Sequence, residues 1–341
     1  MVLTVASMEV TIDRRKGGPV RPVRAVSLAV DAGRTLALVG ESGCGKSMSC
    51  LAIAGLLPRR ARISAGNVDF EGQDLAALPA KEAQLIRRRH IASVFQDATG
   101  GLNPVRSIGW QVVESLRLRV GATRAEADRE AVRLLGRVGL PDPERRAREY
   151  PHQFSGGMNQ RAMIALAVAG NPRLLIADEA TTALDVTLQA QIIDLISDLR
   201  DSLGMAVLFV THDLGLVAQS AEDVAVMYAG RVVETAPVER LFADPLHPYT
   251  QGLLRALPGA TGPQHRLATI EGTVPPIDAL PQGCAFAPRC GRATGICRQT
   301  DPDPRAGVAC HHVDIKAVPR RKEEPAIWPS NNAPCACRRS S

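Results

Sequence analysis

Three groups of residues carry chemistry in this 341-residue chain. The first is the run Gly40-Glu41-Ser42-Gly43-Cys44-Gly45-Lys46-Ser47. Its glycines let the backbone curl so that successive N–H groups turn inward around an anion, and the helix expected to begin near Lys46 points its positive end at the same place. Lys46 is then in reach of β- and γ-phosphates and the Ser47 hydroxyl can hold Mg²⁺, so the expected ligand is a nucleoside triphosphate. The second group closes apolar runs: Asp178 and Glu179 after "LLIA", and His212 after "LFVT". A carboxylate at a strand end orients Mg²⁺, and a second one beside it is placed to act as general base. Each also has a plain reading as a helix cap or a structural strand-end residue. The third is Cys284, Cys290, Cys297 and Cys310, with gaps of five, six and twelve residues. A Pro/Gly-rich stretch without a core of its own that gathers four thiols implies a metal as its organising centre.

These groups need elements to position them. The apolar runs predict parallel strands at 35–39, 91–95, 173–177 and 206–210, buried on both faces. "SMSCLAIAGLL" predicts a helix after the phosphate loop, with Leu51, Ala54 and Leu57 on one helical stripe. Short alternating runs before Val39 predict antiparallel strands. The periodicity of 107–120, 124–140 and 158–170 predicts amphipathic or buried helices, read as a helical subdomain over about 101–171. Ser155-Gly156-Gly157 precedes the last of these, where Ser155 can cap and the glycine N–H groups can bind a second anion. The texture changes near Pro258. The expected organisation is an α/β domain over 1–258, a cysteine-rich extension over 259–318, and a mobile tail over 319–341.

Taken in order, "GESGCGKS", "FSGGMNQR" (154–161), "LLIADEATTALD" (174–185) and "FVTHDL" (209–214) resemble the nucleotide-binding subunit of an ATP-binding cassette (ABC) transporter over nearly the whole chain. "HPYTQGLLRALP" (247–258) and "GCAFAPRC" narrow the resemblance to the oligopeptide/dipeptide importers, and to their D-type subunit. The resemblance implies a P-loop NTPase fold and ATP hydrolysis. It implies Glu179 as the residue that polarises the attacking water, His212 on the γ-phosphate, and Gln96 on Mg²⁺ with Ser47 and Asp178. It also implies head-to-tail dimerisation, with Ser155, Gly156 and Gly157 of one subunit closing on ATP held by the other and Asp185 at the seam. The implied partners are two transmembrane permease subunits, a related F-type ATPase and, indirectly, a substrate-binding protein, on the cytoplasmic face of the inner membrane. For the four cysteines it implies a [4Fe-4S] cluster; by ligand type a zinc site completed by His311 or His312, or unligated thiols, stay open.

Two departures stand out. Family members carry an aromatic near position 12 that stacks on adenine, whereas this chain has Ile12 and its first aromatic residue is Phe70. Met158 and Asn159 replace the more general signature residues. Cys44, at a helix N-terminus, is expected to favour its thiolate and to react with alkylating agents.

Composition bounds the alternatives. Hydrophobic residues make up 45% and aromatics 3%, so the core is aliphatic, and no apolar run is long enough to cross a bilayer. The N-terminus does not read as a signal peptide. A net charge of +6 is spread thinly, without the interleaved aromatics of a single-strand binding face, so no nucleic-acid partner is expected. The competing class is a soluble cassette ATPase acting on nucleic acid or ribosomes; the interval from Ser47 to Ser155 is too short for a long coiled coil.

Overall fold

The computed structural model describes residues 1–95, 98–180, 185–257 and 269–313. Its strands are β1 (Leu3–Ile12), β2 (Val20–Val30), β3 (Thr35–Val39), β4 (Ala61–Phe70), β5 (Gln73–Asp74), β6 (Ile91–Val94), β7 (Leu174–Asp178), β8 (Ala206–Thr211), β9 (Asp223–Tyr228) and β10 (Arg231–Pro237). They form two sheets: an antiparallel one in the order β2-β1-β4-β5, and a mixed one in the order β10-β9-β3-β8-β7-β6. Within the second, β9, β3, β8, β7 and β6 run parallel, and only β10 is antiparallel.

The parallel strands are continuous apolar runs because both faces are covered, and the side chains divide by alternation. Leu174, Ile176, Ala206, Leu208 and Val210 face the antiparallel sheet and the helix Lys46–Ala54. Leu175, Ala177, Val207 and Phe209 face a second core built with the helices Ile108–Val120, Arg124–Arg137, Gly156–Val168 and Val186–Leu203. A third core lies beyond β3, where Val224, Val226 and Tyr228 of β9 pack with Leu241, Tyr249 and Phe286. Through Ala285 and Phe286 the cysteine-rich segment shares this core, so it is seated on the α/β layer and is not a module organised by its cysteines alone.

Three expectations need correction or placement. The helix after the phosphate loop ends at Ala54, because Gly55 adopts φ +72° and turns its N–H back to the carbonyls of Ala52 and Leu51. Its buried face is therefore Ser49, Cys50, Ala52 and Ile53, and Leu57 lies past its end. Second, β9 and β10 were not among the expected strands, yet β9 is the direct neighbour of β3. Third, the boundary near Pro258, the tail over 319–341 with Cys335 and Cys337, and residue Gln96 lie outside the described residues.

Candidate nucleotide-binding site

The strand order brings the separated motifs together. β3 leads into the phosphate loop, β8 lies beside it with Val39 level with Thr211, and β7 lies beside β8 with Asp178 level with Val210. Lys46 and Ser47, His212, and Asp178 with Glu179 thus emerge at the carboxyl ends of three adjacent parallel strands, where open α/β sheets bind ligands.

The loop's backbone leaves no alternative to glycine at two places. Gly40 has φ +152°, and a Cβ there would sit 2.2 Å from the Met227 carbonyl oxygen. Gly45 has φ +107°, and its Cβ would sit 2.4 Å from the Pro22 carbonyl oxygen. Lys46 is buried and donates to the carbonyls of Gly40 at 2.8 Å and Glu41 at 3.1 Å, so its ammonium spans the mouth of the loop. Ser42, Gly43 and Ser47 are exposed.

Asp178 is 7% exposed and lies beside the Ser47 hydroxyl. Burial raises its carboxyl pKa, with the Ser47 hydroxyl and Lys46 opposing and Glu179 adding to the rise. Among the described residues its Oδ1 is buried without a hydrogen-bond partner. A carboxylate oxygen left without a donor, beside a serine hydroxyl, is a donor set that suits a hard divalent cation.

Glu179 follows β7 with φ +48°, a left-handed conformation that costs a non-glycine residue about 1–2 kcal/mol. Its N–H donates to Val210 O at 3.0 Å, fixing it against β8. Its Oε1 lies 3.6 Å from His212 Nδ1, with Glu179 mostly buried and His212 half exposed. A carboxylate and an imidazole therefore stand side by side at the strand ends.

Ser155 caps the helix Gly156–Val168, accepting from Met158 N at 3.3 Å, and Asp185 caps Val186–Leu203, accepting from Leu188 N at 2.9 Å. Both caps belong to the plain structural reading, but Ser155 and Gly156 are also exposed, and nothing lies within 4 Å of where a Cβ on Gly156 would sit. Gly157 is buried against Leu188.

Cys44 contradicts the expectation of a favoured thiolate. It is 1% exposed, and burial raises its thiol pKa, with the Lys46 charge opposing but not prevailing. Ile12 is half-buried at the end of β1, paired with Val20 and Ala61.

Cys284, Cys290, Cys297 and Cys310 line one small pocket together with Phe286, His311 and His312. Among the described residues no three His, Cys, Asp or Glu side chains stand where they could hold a metal ion. His311 Nε2 donates to the Thr300 carbonyl at 2.9 Å, and His312 Nε2 lies 3.3 Å from Cys297 Sγ. Burial pushes the Cys284 thiol up to about 11 and also raises that of Cys310.

Motif reasoning missed how "HPYT" and "APRC" connect to the loop. The Tyr249 hydroxyl accepts from Glu41 N–H at 2.9 Å, and Arg289 Nη1 lies 3.0 Å from both Glu41 carboxylate oxygens. The available signal was scarcity: the chain has three tyrosines, one of them in "HPYT", and a tyrosine buried as Tyr249 is needs a partner for its hydroxyl.

This fold and this site define a P-loop ATPase of the ATP-binding cassette class. The chain belongs to the ABC transporter ATP-binding family. The ABC transporter description matches residues 23–182, and the description "Oligopeptide/dipeptide transporter, C-terminal region" matches residues 233–297. A protein of Brucella melitensis biotype 1 whose assigned name is that of a peptide import ATP-binding protein is 50% identical over 314 residues, covering 89% of this chain and 93% of that relative. A second protein of that organism with the same type of name is 48% identical over 301 residues, covering 88% and 90%. Among solved structures, a dimer of the cassette MJ0796 in a post-hydrolysis state with ADP and Pi superposes with a TM-score of 0.61 at 27% identity, over 69% of this chain and 98% of that one. No described helix is long and apolar enough to cross a membrane.

Proposed function

We propose that this chain is the ATP-hydrolysing subunit that powers import of peptides or related small solutes. It would work beneath two transmembrane permease subunits on the cytoplasmic face of the membrane, paired with a second ATPase subunit and served indirectly by a substrate-binding protein. The names of relatives that match over most of their length, and the oligopeptide/dipeptide C-terminal match, support the transport reading.

The observation that carries the chemical reading is the meeting of Ser47 after β3 with Asp178 and Glu179 at the end of β7, the two strands that flank β8, with one Asp178 oxygen unpartnered among the described residues. Gly40 to Ser47 wrap the triphosphate, and Lys46 neutralises its β- and γ-oxygens. Ser47, Asp178 and Gln96 are the proposed Mg²⁺ ligands. Mg²⁺ supplies charge neutralisation across the phosphates when bound. Glu179 takes the proton of the attacking water, and His212 orients that water and the γ-phosphate. Ser155 with Gly156 and Gly157, exposed in part on one chain, completes the site of a partner, with Asp185 at the shared seam. Hydrolysis then requires closure, because each chain lacks the donors its mate supplies.

The four cysteines are the proposed ligands of a [4Fe-4S] cluster. Their convergence on one pocket supports that reading.

The test is co-purification of the full chain with its membrane partners, followed by reconstitution. ATP hydrolysis that rises with a cognate solute and its binding protein is expected; hydrolysis that rises with RNA or ribosomes and not with membrane partners would reverse the reading.

A further inference from the structure

We infer that Arg289, in the cysteine-rich segment, is a positioning residue for the phosphate loop and sets nucleotide affinity through Glu41. The inference deepens the nucleotide-binding reading above and rests on it. All three polar functions of Glu41 are occupied. Its N–H goes to the Tyr249 hydroxyl at 2.9 Å, its carbonyl takes Lys46 Nζ at 3.1 Å, and its carboxylate meets Arg289 Nη1 at 3.0 Å through both oxygens. Tyr249 is fully buried and the Arg289 side chain is 6% exposed, so neither contact is a mobile surface pair.

Arg289 is itself gripped from the far side. Its Nε donates to Glu271 O at 2.9 Å, its Nη2 to Ile270 O at 3.1 Å, and its guanidinium lies 5.8 Å from the centre of the Tyr228 ring. Held this way the cation cannot swing off, and a fixed charge is worth more than a tethered one. The physical need is plain. Glu41 places a negative charge at the second position of a loop built for a polyanion, where it repels phosphate unless cancelled. Arg289 cancels it and, with Tyr249, fixes the loop's first turn. Arg289 closes the short turn Ala287–Arg289 and is followed at once by Cys290, whose N–H donates to Ala287 O at 3.3 Å. The nucleotide loop and the wall of the cysteine pocket therefore share one rigid connection.

The test is the ATP affinity of the full chain, measured by displacement of a fluorescent nucleotide, with the KM and kcat of the assembled complex beside it. Arg289→Gln is expected to weaken ATP about tenfold and raise KM to match, with kcat within about twofold, since the loss falls on binding and not on the reacting water. Arg289→Lys keeps the charge but loses the Nε and Nη2 contacts that hold it, so its ATP affinity is expected to fall between those of the unsubstituted chain and Arg289→Gln. The deciding result is the pair Glu41→Gln/Arg289→Gln. Removing the charge that Arg289 cancels is expected to restore affinity to within about threefold, an outcome that damage to the fold would not give. Raised salt is expected to shrink the Arg289→Gln deficit. Unchanged affinity in Arg289→Gln, or a double variant as weak as the single one, overturns the role of Arg289 alone. Absence of ATP binding by the unsubstituted chain would instead overturn the proposed function.

Discussion

His212 Nδ1 stands 3.6 Å from Glu179 Oε1, joining the ends of two neighbouring parallel strands in the proposed site. Glu179→Gln keeps the shape and removes the base. ATP hydrolysis is expected to fall by about 10²–10⁴-fold while ATP still binds, and an ATP-bound dimer is expected to accumulate on size-exclusion chromatography. Steady-state hydrolysis equal to that of the unsubstituted chain would reject Glu179 as base.

Gly156 offers a test of the shared site that is independent of folding. A side chain there meets nothing within 4 Å in the single chain. Gly156→Asp is expected to change unfolding free energy by no more than about 1 kcal/mol in urea titrations, yet to cut hydrolysis more than about tenfold. Full activity would mean that no partner approaches this turn.

The base of the nucleotide has Ile12 where the family resemblance places an aromatic ring. Discrimination between ATP and GTP is expected to be weak, within about fivefold in kcat/KM, and Ile12→Tyr is expected to tighten ATP by about fivefold through stacking. Strong preference for ATP in the unsubstituted chain would point to another residue holding adenine.

Glu234 is fully buried and accepts from Leu246 N and His247 N, each at 2.9 Å. Glu234→Ala strands both donors, and about 3 kcal/mol of stability is expected to be lost, read from urea midpoints. Glu234→Gln, which keeps one acceptor oxygen, is expected to lose less.

The cysteine pocket calls for anaerobic purification. Brown protein with iron and acid-labile sulfide in equal amounts, bleached by Cys290→Ser, is expected. Colourless protein with one zinc per chain would replace the cluster with a single ion.

Much of this architecture is readable from side-chain pattern. β3, β7 and β8 announce themselves because strands covered on both faces need unbroken aliphatic runs, and the polar residues that follow those runs fall at the carboxyl edge of the sheet. The apolar period after the loop runs past the end of the helix, because it does not reveal that Gly55 adopts φ +72°. β9 begins with Asp223 and β10 carries Arg231 and Glu234, which blurred their pattern. Tyr249 and Arg289 were invisible as loop partners for another reason. They lie 208 and 248 residues from Glu41, and no local periodicity encodes a contact across that distance. Burial likewise decided Cys44, whose helix-end position alone predicts the opposite shift.

Gly40 and Gly45 press against carbonyls of β9 and β2, strands that belong to different sheets. Gly230 N–H bonds the Cys44 carbonyl and Arg24 N–H bonds the Gly230 carbonyl, at 2.8 and 2.7 Å, closing the same junction. The loop is thus a keystone: neither sheet can slide without lifting it. Mutational drift in one layer has to be matched in the other, and a graft of this loop onto a foreign barrel or sheet would carry only half of its supports.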